Sequence, residues 1–539
     1  MVERKILKNK VFLYLTEFFA GMSVMAIELG AQRLLAPYFS SSQIVWTIVI
    51  GTIMIAMALG NIYGGRKADK DPNPDKLYAR LLIVGAWIAL IPWLGKYVIA
   101  VISALFIFVV DSGFLIIAAT ISCLVLFIFP LFLLGTTSPC LVKYCTQSLD
   151  ESGKTVGTLN AFNTIGSILG TFLPTFVTIP TIGTNMTFLI FAFTITALAC
   201  IYFITSMKFE WKMILAVVAL ILGGIFGYSS HFAFWENSLV YEGESTYNYL
   251  QIYEDGYHNE VRLSTNVLFG VQSVYFKEKG LNSNYYYDYD LAAWQMTNGN
   301  KKEKVEVLVL GMGSGTYAAQ LNNYYDNVNV TGVEIDSKIT ELAREYFKLD
   351  TNKIKVHTYD GRAFLNTVKD KYDIIMVDAY QDITIPYQMS SIEFFTLVRN
   401  HLTDDGVMVV NLNMRSDEKD NINYYLCDTI SRVFKYNYTV EVAQTTNREL
   451  FAFNNPDLLD NLNENIKAET DSSLKYFIEN YVIKNLKEYE AGNLLFTDDK
   501  APVELLGIEV IDTLIQDETE FYKQIFRQQG LKGLLEYLS

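Results

Sequence analysis

The segment Val305–Gly315 reads VEVLVLGMGSG, and it decides the fold of the second half of the chain. Its first part, Val305–Leu310, is a mostly apolar run with the length of a buried strand. Three glycines follow at alternate positions, and a helix is predicted to begin near Thr316. A strand, a glycine-rich turn and a helix in this order predict the first unit of a parallel α/β sheet.

The same order repeats over the next hundred residues. Further strands are predicted at Val328–Val333, Ile354–Thr358, Tyr372–Val377 and Gly406–Leu412, with helices between them. Strands that alternate with helices form a doubly wound, Rossmann-like sheet, in which ligands bind beyond the carboxyl ends of the strands. Acidic residues occupy three of these ends, namely Glu334, Asp360 and Asp378.

The glycine spacing and the first acidic residue indicate an adenosine-type ligand. Glu334 lies 21 positions after Gly313, where a carboxylate can accept hydrogen bonds from both ribose hydroxyls. The pattern GxGxG is typical of S-adenosylmethionine-type domains, whereas dinucleotide sites favour GxGxxG. Asp360 suits an adenine amino group, because a carboxylate accepts from NH₂. The alternative is that Asp360-Gly361 is only a turn.

A small antiparallel β subdomain with a following helix is predicted in residues 231–300, ahead of the Rossmann-like domain at 301–539. Short alternating runs at Tyr249–Tyr253, Glu260–Leu263 and Val267–Val274 are separated by turn residues. An aromatic-rich helix is predicted around residues 284–297.

The first 230 residues have a different composition. They hold 15 Lys and Arg against 10 Asp and Glu, a net of +5, whereas residues 231–539 hold 28 against 48, a net of −20. An apolar fraction of 51% and a mean hydropathy of +0.20 indicate a multi-pass α-helical membrane domain. About seven spanning helices are predicted, near 11–35, 43–65, 77–95, 114–140, 156–178, 184–206 and 211–229. An eighth span stays open at Tyr97–Val110.

Several classes of function are disfavoured by the residue content. A net charge of −20 in the soluble half argues against nucleic acid as a partner, because phosphate backbones need clustered Lys and Arg. None of the five cysteines has CxxC spacing, and the four histidines are scattered. Neither a disulfide framework nor a metal centre is therefore predicted.

A family resemblance covers nearly the whole chain. Residues 305–378, with GMGSG, VEID, YDG and a strand that ends in Asp378, resemble the polyamine aminopropyltransferases, spermidine synthase among them. The upstream stretches ESTYNYLQIYEDG and NVLFGVQS resemble the N-terminal β-strand domain of that family. The stretches RLLAPYFSSSQIVWTIVIG and LNAFNTIGSILGTFLPTFVTIPTIG resemble the bacterial membrane-fused spermidine-synthase-like proteins.

The resemblance implies transfer of an aminopropyl group from decarboxylated S-adenosylmethionine to an amine such as putrescine, in polyamine biosynthesis. It implies no metal and no permanently bound cofactor. Asp378 would be the proton acceptor. The residues implied to bind the co-substrate are Gly311, Gly313, Gly315, Glu334, Asp360, Gly361, Asn248, Gln272 and Pro386.

The amine side of the site departs from the family pattern. In the soluble enzymes a GGGDGG loop supplies an Asp, and Ser314 stands at that position here. The Tyr-His-Glu run of the family appears as Tyr287-Asp288-Tyr289, and its DSSD-type loop appears as residues 378–381. The residues predicted to contact the amine are Tyr287, Asp288, Ser314, Tyr380 and Gln381, with Asp382 as a shifted alternative to Gln381.

Two other functions remain open. The soluble half is alternatively another S-adenosylmethionine-type transferase, such as a methyltransferase, or the nucleoside-binding part of a non-catalytic transporter or sensor. Asp378 favours the aminopropyltransferase, while Ser314 favours the alternatives. The lipid bilayer is a predicted partner, and a homodimer through the soluble half is also predicted.

The side of the membrane depends on whether the number of spans is odd or even. Basic residues at the N-terminus (Arg4, Lys5, Lys8, Lys10) and after the second span (Arg66, Lys67, Lys70, Lys76, Arg80) predict that both segments are cytoplasmic. Seven spans would place the soluble half outside, and eight would place it inside. Because the co-substrate is cytoplasmic, a cytoplasmic soluble half is predicted, with three spans in residues 77–140.

Overall fold

The computed structural model describes residues 9–107, 110, 113–146, 152–228, 231–236, 238–267, 271–379, 385–413 and 420–538. Its contacts divide the chain into two compact units. One comprises Met1–Glu236 together with Glu518–Ser539, and the other comprises Asn237–Asp517. The first is referred to below as the helical unit and the second as the soluble unit.

The helical unit is built from long apolar helices. They are α1 (Lys10–Phe39), α2 (Gln43–Lys70), α3 (Pro74–Phe106), α4 (Phe114–Cys123), α5 (Phe129–Gly135), α6 (Thr137–Cys145), α7 (Ser152–Leu173), α8 (Ile179–Thr205) and α9 (Lys212–Tyr228). π-helical turns join α4 to α5 and α7 to α8. Five stretches are long and apolar enough to cross a membrane, and α9 is a shorter apolar helix.

The longest of these stretches, Ser152–Thr205, changes direction inside. Gly183 has non-helical backbone angles of φ 79° and ψ 169°. After this point α8 runs antiparallel to α3, because Thr196 lies against Gly85, and Tyr202 donates to Asp75 nearer the start of α3. Before this point α7 runs parallel to α1, as the contacts of Gly166 and Gly170 with α1 show. The stretch therefore contains two long helices of opposite direction, so the described residues hold six long apolar helical segments and the shorter helix α9.

Glycines bring α1 and α7 into close contact. A Cβ atom on Gly166 would overlap the carbonyl oxygen of Phe18, and one on Gly170 would overlap that of Met22. The two contacts are four residues apart on each helix and follow the same order, so the helices run parallel. Small residues at this spacing are the usual way for two apolar helices to pack backbone against backbone.

The predicted eighth span is not present in the described part of residues 74–145. Residues from Tyr97 to Phe106 continue α3, which is 33 residues long. Only two long helical stretches, α3 and Phe114–Cys145, occupy this range. The division of residues 77–140 into three spans was wrong, because one helix that extends past Lys96 accounts for the apolar run.

Basic residues gather at one end of the helical unit. Lys208, after α8, forms an ion pair of 2.6 Å with Asp75 at the start of α3. Lys143, near the end of α6, pairs with Asp69 at 3.0 Å, near the end of α2. By connectivity, the same end holds Lys10, Arg66, Lys67, Lys70, Lys76, Lys154 and Lys212.

The chain leaves the helical unit at the opposite end. Residues 231–232 follow shortly after α9. Their carbonyl oxygens accept hydrogen bonds of 2.9 Å from Lys96 Nζ, in the second half of α3, and from Tyr38 Oη, at the end of α1. Because α1 and α3 both begin at the basic end, these contacts place the exit at the other end.

The soluble unit contains two sheets. A four-stranded antiparallel sheet comprises β1 (Leu239–Glu244), β2 (Tyr249–Asp255), β3 (Glu260–Ser264) and β4 (Val271–Phe276), in that order. Three of its strands match the predicted runs, although residues 268–270 of the third run lie outside the described residues. The helix predicted at 284–297 forms two short helices, α10 (Tyr286–Tyr289) and α11 (Ala292–Met296).

The second sheet is the predicted Rossmann-like one with an antiparallel extension. Its strands are β5 (Val305–Leu310), β6 (Val328–Glu334), β7 (Ile354–Thr358), β8 (Tyr372–Val377), β9 (Leu402–Leu412), β10 (Tyr436–Glu441), β11 (Arg448–Phe453) and β12 (Lys487–Glu488). The spatial order is β12-β10-β11-β9-β8-β5-β6-β7. The five strands from β9 to β7 are parallel, while the other three, which were not predicted, pair antiparallel.

Helices cover this sheet and connect its strands. They are α12 (Thr316–Tyr324), α13 (Ser337–Tyr346), α14 (Gly361–Thr367), α15 (Ile392–His401), α16 (Ile422–Ser431), α17 (Asp457–Ala468) and α18 (Ser472–Phe477), and a last helix, α19 (Val503–Leu538), follows the final strand. A continuous apolar core joins α10, α11, α12, α17 and α18 to one face of the sheet. The predicted α/β domain with a small β-sheet subdomain therefore agrees with the structure.

We predict that Gly166→Ala destabilises the helical unit by about 1–3 kcal/mol, because the added Cβ has to displace the backbone of α1. Gly157→Ala in the same helix is the matched control, since its Cβ would meet nothing within 4 Å. Thermal unfolding of the full chain in detergent measures both effects. Equal midpoints for the two variants would contradict the packing proposed for α1 and α7.

Candidate active site

A cavity opens at the carboxyl ends of the parallel strands. The β-sheet subdomain forms one wall, and the loops after β5, β6, β7 and β8 form the others. Its lining includes Tyr247, Asn248, Thr265, Gln272, Ser273, Tyr287, Gly311, Met312, Gly313, Glu334, Ile335, Tyr359, Asp360, Gly361, Asp378, Pro386, Gln388 and Met389. Parallel strands bring these sequence-distant residues to one edge.

The glycine-rich turn is shaped by left-handed backbone angles. Gly311 has φ +79°, and a Cβ there would lie 2.5 Å from the Cα of Ala379 and from the carbonyl oxygen of Asp378. Only glycine allows β5 and β8 to end this close together. Gly313 lines the cavity with φ +55°, whereas Gly315, with φ +80°, precedes α12 and is not part of the lining.

Glu334 forms a buried wall of the cavity and is held by backbone amides. Its carboxylate accepts from the N–H of Gly313 at 2.9 Å and from the N–H of Asp336 at 3.0 Å. Burial raises the pKa of Glu334 to about 7, against the lowering effect of these bonds. Asp336 in turn accepts from Asn248 Nδ2 at 2.9 Å, which fixes a further predicted residue beside Glu334.

Asp360 both caps a helix and faces the cavity. Its Oδ1 accepts from the N–H of Ala363 at 2.7 Å as the N-cap of α14. One carboxylate oxygen of Asp360 therefore orders the turn, which is the alternative role that the sequence analysis gave to Asp360-Gly361. Gly361, Gln272 and Pro386 line the same cavity, and their contact with the co-substrate stays a prediction.

Asp378 is half-buried in the cavity wall, and both of its carboxylate oxygens are hydrogen-bonded. Tyr286 Oη donates to Oδ2 at 2.7 Å, and Asn411 Nδ2 donates to Oδ1 at 3.1 Å. Burial raises the pKa of Asp378 to about 7, although the two hydrogen bonds favour the ionised form. Burial, and then the charge of Asp378, hold the pKa of Tyr286 well above its usual range, so its hydroxyl remains a donor.

The residues predicted to contact the amine are only partly brought together. Tyr287 lines the cavity. Asp288 does not, because its carboxylate accepts from the N–H of Asn282 and from Gln320 Nε2, each at 2.6 Å, and faces a separate cavity. Ser314 is buried and its hydroxyl pairs with that of Thr316 at 2.9 Å. Tyr380 and Gln381, together with Asp382, lie outside the described residues.

Two residues that hold Asp378 were missed by the sequence analysis. Tyr286 lies one position before the run matched to the family pattern. Asn411 lies on β9, whose Val410 pairs with Val377 of β8, so Asn411 is the neighbour of Asp378 in the next strand. Extending the predicted register by one residue would have found Asn411, whereas no local pattern singles out Tyr286.

One group of possible metal ligands occurs among the described residues, away from the strand ends. Asp255, His258 and Glu260 lie close together on the hairpin of β2 and β3. Arg262 forms ion pairs with Asp255, at 3.9 Å, and with Glu260. A guanidinium therefore already supplies the positive charge that this group attracts.

Comparisons with known proteins agree with this geometry. Residues 289–451 match the model of the spermine/spermidine synthase domain. A Bifidobacterium longum protein named "Probable polyamine aminopropyl transferase" is 47% identical over 351 residues, which cover 62% of this chain and 77% of the relative. The chain belongs to the polyamine aminopropyltransferase family. The predicted family and the predicted transferase class are confirmed.

Other relatives match shorter parts. A polyamine aminopropyltransferase of Clostridium beijerinckii is 32% identical over 129 residues, or 23% of this chain and 44% of the relative. The crystal structure of spermidine synthase from Thermotoga maritima aligns with a TM-score of 0.38 and 18% identity, covering 46% of this chain and 84% of that one.

We predict that Glu334→Ala lowers the affinity for methylthioadenosine by at least about a hundredfold, because it removes two charge-assisted hydrogen bonds to the ribose, each worth about 1.5–3 kcal/mol. Calorimetry at pH 8 measures this affinity with the carboxylate ionised. Glu341→Ala, on the exposed side of α13, is the control. Equal binding by the two variants would remove Glu334 from the ligand site.

Proposed function

We propose that the soluble unit transfers an aminopropyl group from decarboxylated S-adenosylmethionine to an amine such as putrescine. The residues that line the cavity support this proposal. Glu334 and Asp360 suit the ribose and the adenine, while Gly311 and Gly313 let the backbone approach the nucleoside. Asn248, Gln272, Gly361 and Pro386 complete the proposed co-substrate side, and Gly315 acts only through the turn.

The reaction is a displacement at the carbon next to a sulfonium. The lone pair of the amine nitrogen forms a new C–N bond while the C–S bond breaks, and its electron pair stays on sulfur as the neutral thioether methylthioadenosine. One proton of the amine passes to Asp378, whose carboxylate becomes a carboxylic acid. Because an amine has a pKa near 10, a positioned acceptor and a dry site both favour the reactive form.

The observation on which the proposal rests is the orientation of Asp378. Tyr286 and Asn411 direct its carboxylate at the cavity that Glu334 lines. A base at this place is needed for transfer to an amine, because the nucleophile must lose a proton. A protein that only binds a nucleoside has no such need. The proposed amine contacts are Tyr287 and the segment that contains Tyr380 and Gln381, while Asp288 and Ser314 act by supporting the nearby backbone.

We predict that Asp378→Asn retains the affinity for methylthioadenosine and loses turnover by about 10²–10⁴-fold, because only the proton acceptor is removed. Turnover of the unsubstituted chain should rise with pH through about 7, as Asp378 ionises. The assay supplies labelled decarboxylated or ordinary S-adenosylmethionine with a panel of amines. Asp370→Asn, an exposed change just before β8, is the control.

Three results of this assay would contradict the proposed transfer or the role of Asp378 in it. Transfer of methyl from the ordinary co-substrate alone would indicate a methyltransferase. Binding of methylthioadenosine without transfer to any amine would favour a sensor or transporter. Unchanged turnover in Asp378→Asn would show that another group or water takes the proton.

We also propose that the chain is a multi-pass membrane protein. The exposed apolar side chains of the helical unit support this proposal, and the lipid bilayer would be the partner that covers them. Side chains such as Met54, Phe176 and Phe193 are more than 60% exposed on these helices. Such surfaces are costly in water and favourable in lipid. A homodimer through the soluble unit remains a prediction.

The helix arrangement supports an outward-facing soluble unit in place of the predicted cytoplasmic one. The cytoplasmic placement depended on an eighth crossing, which the described residues lack. With seven crossings and the basic end in the cytoplasm, the exit after α9 lies outside. We therefore propose that the co-substrate crosses the membrane and then enters the site from the outer side.

Cysteine accessibility tests the side directly. Tyr257→Cys on the soluble unit and Met207→Cys at the basic end replace two residues that are each 92% exposed. We expect a membrane-impermeant maleimide to label Tyr257→Cys in intact spheroplasts and Met207→Cys only after lysis. The unsubstituted chain gives the background, since four of its five cysteines are buried. The reverse pattern would restore the cytoplasmic placement.

A further inference from the structure

An ion pair outside the cavity lining is bonded to one of the cavity-lining segments. Arg362, in the first turn of α14, donates two hydrogen bonds of 2.7 Å, one to each carboxylate oxygen of Asp498. The same guanidinium donates to the backbone carbonyl oxygen of Gln388 at 2.9 Å. Gln388 lines the cavity, whereas Arg362 and Asp498 do not. The pair can therefore affect a ligand only through the segment that it holds.

Asp498 connects the starts of two helices. Besides the bonds from Arg362 at the start of α14, its Oδ1 accepts from Ser391 Oγ at 2.5 Å. Ser391 is the N-cap residue of α15, because its side chain accepts from the N–H of Phe394. The backbone N–H of Asp498 donates to Glu393, in the first turn of α15, at 3.1 Å. One carboxylate thus fixes α14 and α15 relative to each other.

The short segment that precedes α15 forms a wall of the cavity beside the proposed adenine site. Residues 386–389 are called the wall segment below, and Pro386, Gln388 and Met389 all line the cavity. Met389 packs directly on Gly361, where a Cβ atom would lie 3.1 Å from Met389 Cε. Gly361 follows Asp360, the residue suited to the adenine amino group. The wall segment therefore borders the place where the base is proposed to bind.

The wall segment depends on outside contacts for its position. It contains a single 3₁₀ turn, which has few hydrogen bonds of its own. Arg362 can hold it and Asp498 together, because a guanidinium presents several N–H donors in one rigid plane. An isolated ion pair at a surface contributes little, but a bidentate pair within a network is the exception. The hydrogen bond from Arg362 also lowers the pKa of Asp498, so the pair is ionised at neutral pH.

We propose that Arg362 and Asp498 are positioning residues that hold the wall segment against the adenine side of the co-substrate. The inference rests on the proposed function for the identity of the ligand, and it assigns neither residue a contact with that ligand. A wall that is already in place removes an ordering cost from binding. The pair should therefore increase the affinity for adenosine-containing ligands and leave the proton acceptor Asp378 unaffected.

Substitutions in the pair test this role by binding alone. In Asp498→Asn the side chain keeps its size, but only one oxygen remains to accept from the two N–H groups of Arg362. We expect the affinity of the full chain in detergent for methylthioadenosine, measured by calorimetry, to fall about tenfold. Arg362→Lys keeps the positive charge without the planar fork, and a similar fall is expected. Asp499→Asn is the matched control, because it makes the same change at an exposed neighbour outside the ion pair.

The double variant Arg362→Lys, Asp498→Asn shows whether the two residues act as one unit. If they do, the second substitution costs little once the first has broken the pair. The double variant should then bind methylthioadenosine within about twofold of the weaker single variant. Losses that multiply to about a hundredfold would show two independent effects and would contradict the proposed pair.

Turnover separates positioning from catalysis. The KM for the co-substrate should rise about tenfold in Asp498→Asn, while kcat and the KM for the amine stay within about twofold of the unsubstituted chain. A fall in kcat alone would place the pair in the reaction and overturn the proposal. If no amine reacts with any variant, the proposed transfer fails, and the loss of methylthioadenosine affinity still supports the pair. Thermal unfolding establishes that each variant is folded at the assay temperature. A folded Asp498→Asn protein that binds methylthioadenosine as tightly as Asp499→Asn would overturn the proposal.

Discussion

The burial of carboxyl groups where parallel strands end is the constraint on which the site depends. A carboxylate in such a place loses its hydration, and each one here is compensated in a different way. Glu334 is held by two backbone N–H groups, and Asp378 is held by a phenol and an amide. The glycine turn is part of the same site, because Gly311 lets β5 and β8 end in contact beside Asp378. The raised pKa values of Glu334 and Asp378 follow from the loss of hydration, and a poorly hydrated site also favours an unprotonated amine.

The helical unit follows a different constraint, since lipid provides no hydrophobic drive for helices to associate. Its contacts depend on close backbone approach, as at Gly166 and Gly170, and on polar cross-links such as the bond from Asn163 to Glu17. The ion pairs of Lys143 and Lys208 tie helix ends together at the same end. The same ion pairs stabilise the bundle, and the basic end that they mark is the end proposed to face the cytoplasm.

Residues at the ends of parallel strands could be predicted from the sequence because neighbouring strands share one direction. Knowing that β5, β6 and β8 are parallel is enough to bring Gly311, Glu334 and Asp378 to one edge. The antiparallel strands β10 and β11 could not be inferred in this way, because their pairing with β9 is non-local. The predicted helix at 284–297 breaks after α10, where Asp290 is fully buried, and periodicity does not foresee a buried acid at this position. Asp288 was predicted at the amine for its place in the family pattern, but the N–H of Asn282 and the amide of Gln320 hold it elsewhere.

The proposed outward placement is consistent with the charge of the soluble half. Residues 231–539 carry a net charge of −20, while the first 230 residues carry +5. A negative surface on the outer side raises the local concentration of amines, which are cations in the medium, and steers them to the site most strongly at low ionic strength. The surface charge acts over distances comparable to the Debye length. It opposes the release of a product that still carries the transferred ammonium group. The neutral thioether product gains nothing from this field, so the proposed charge pattern favours departure of methylthioadenosine before the larger amine.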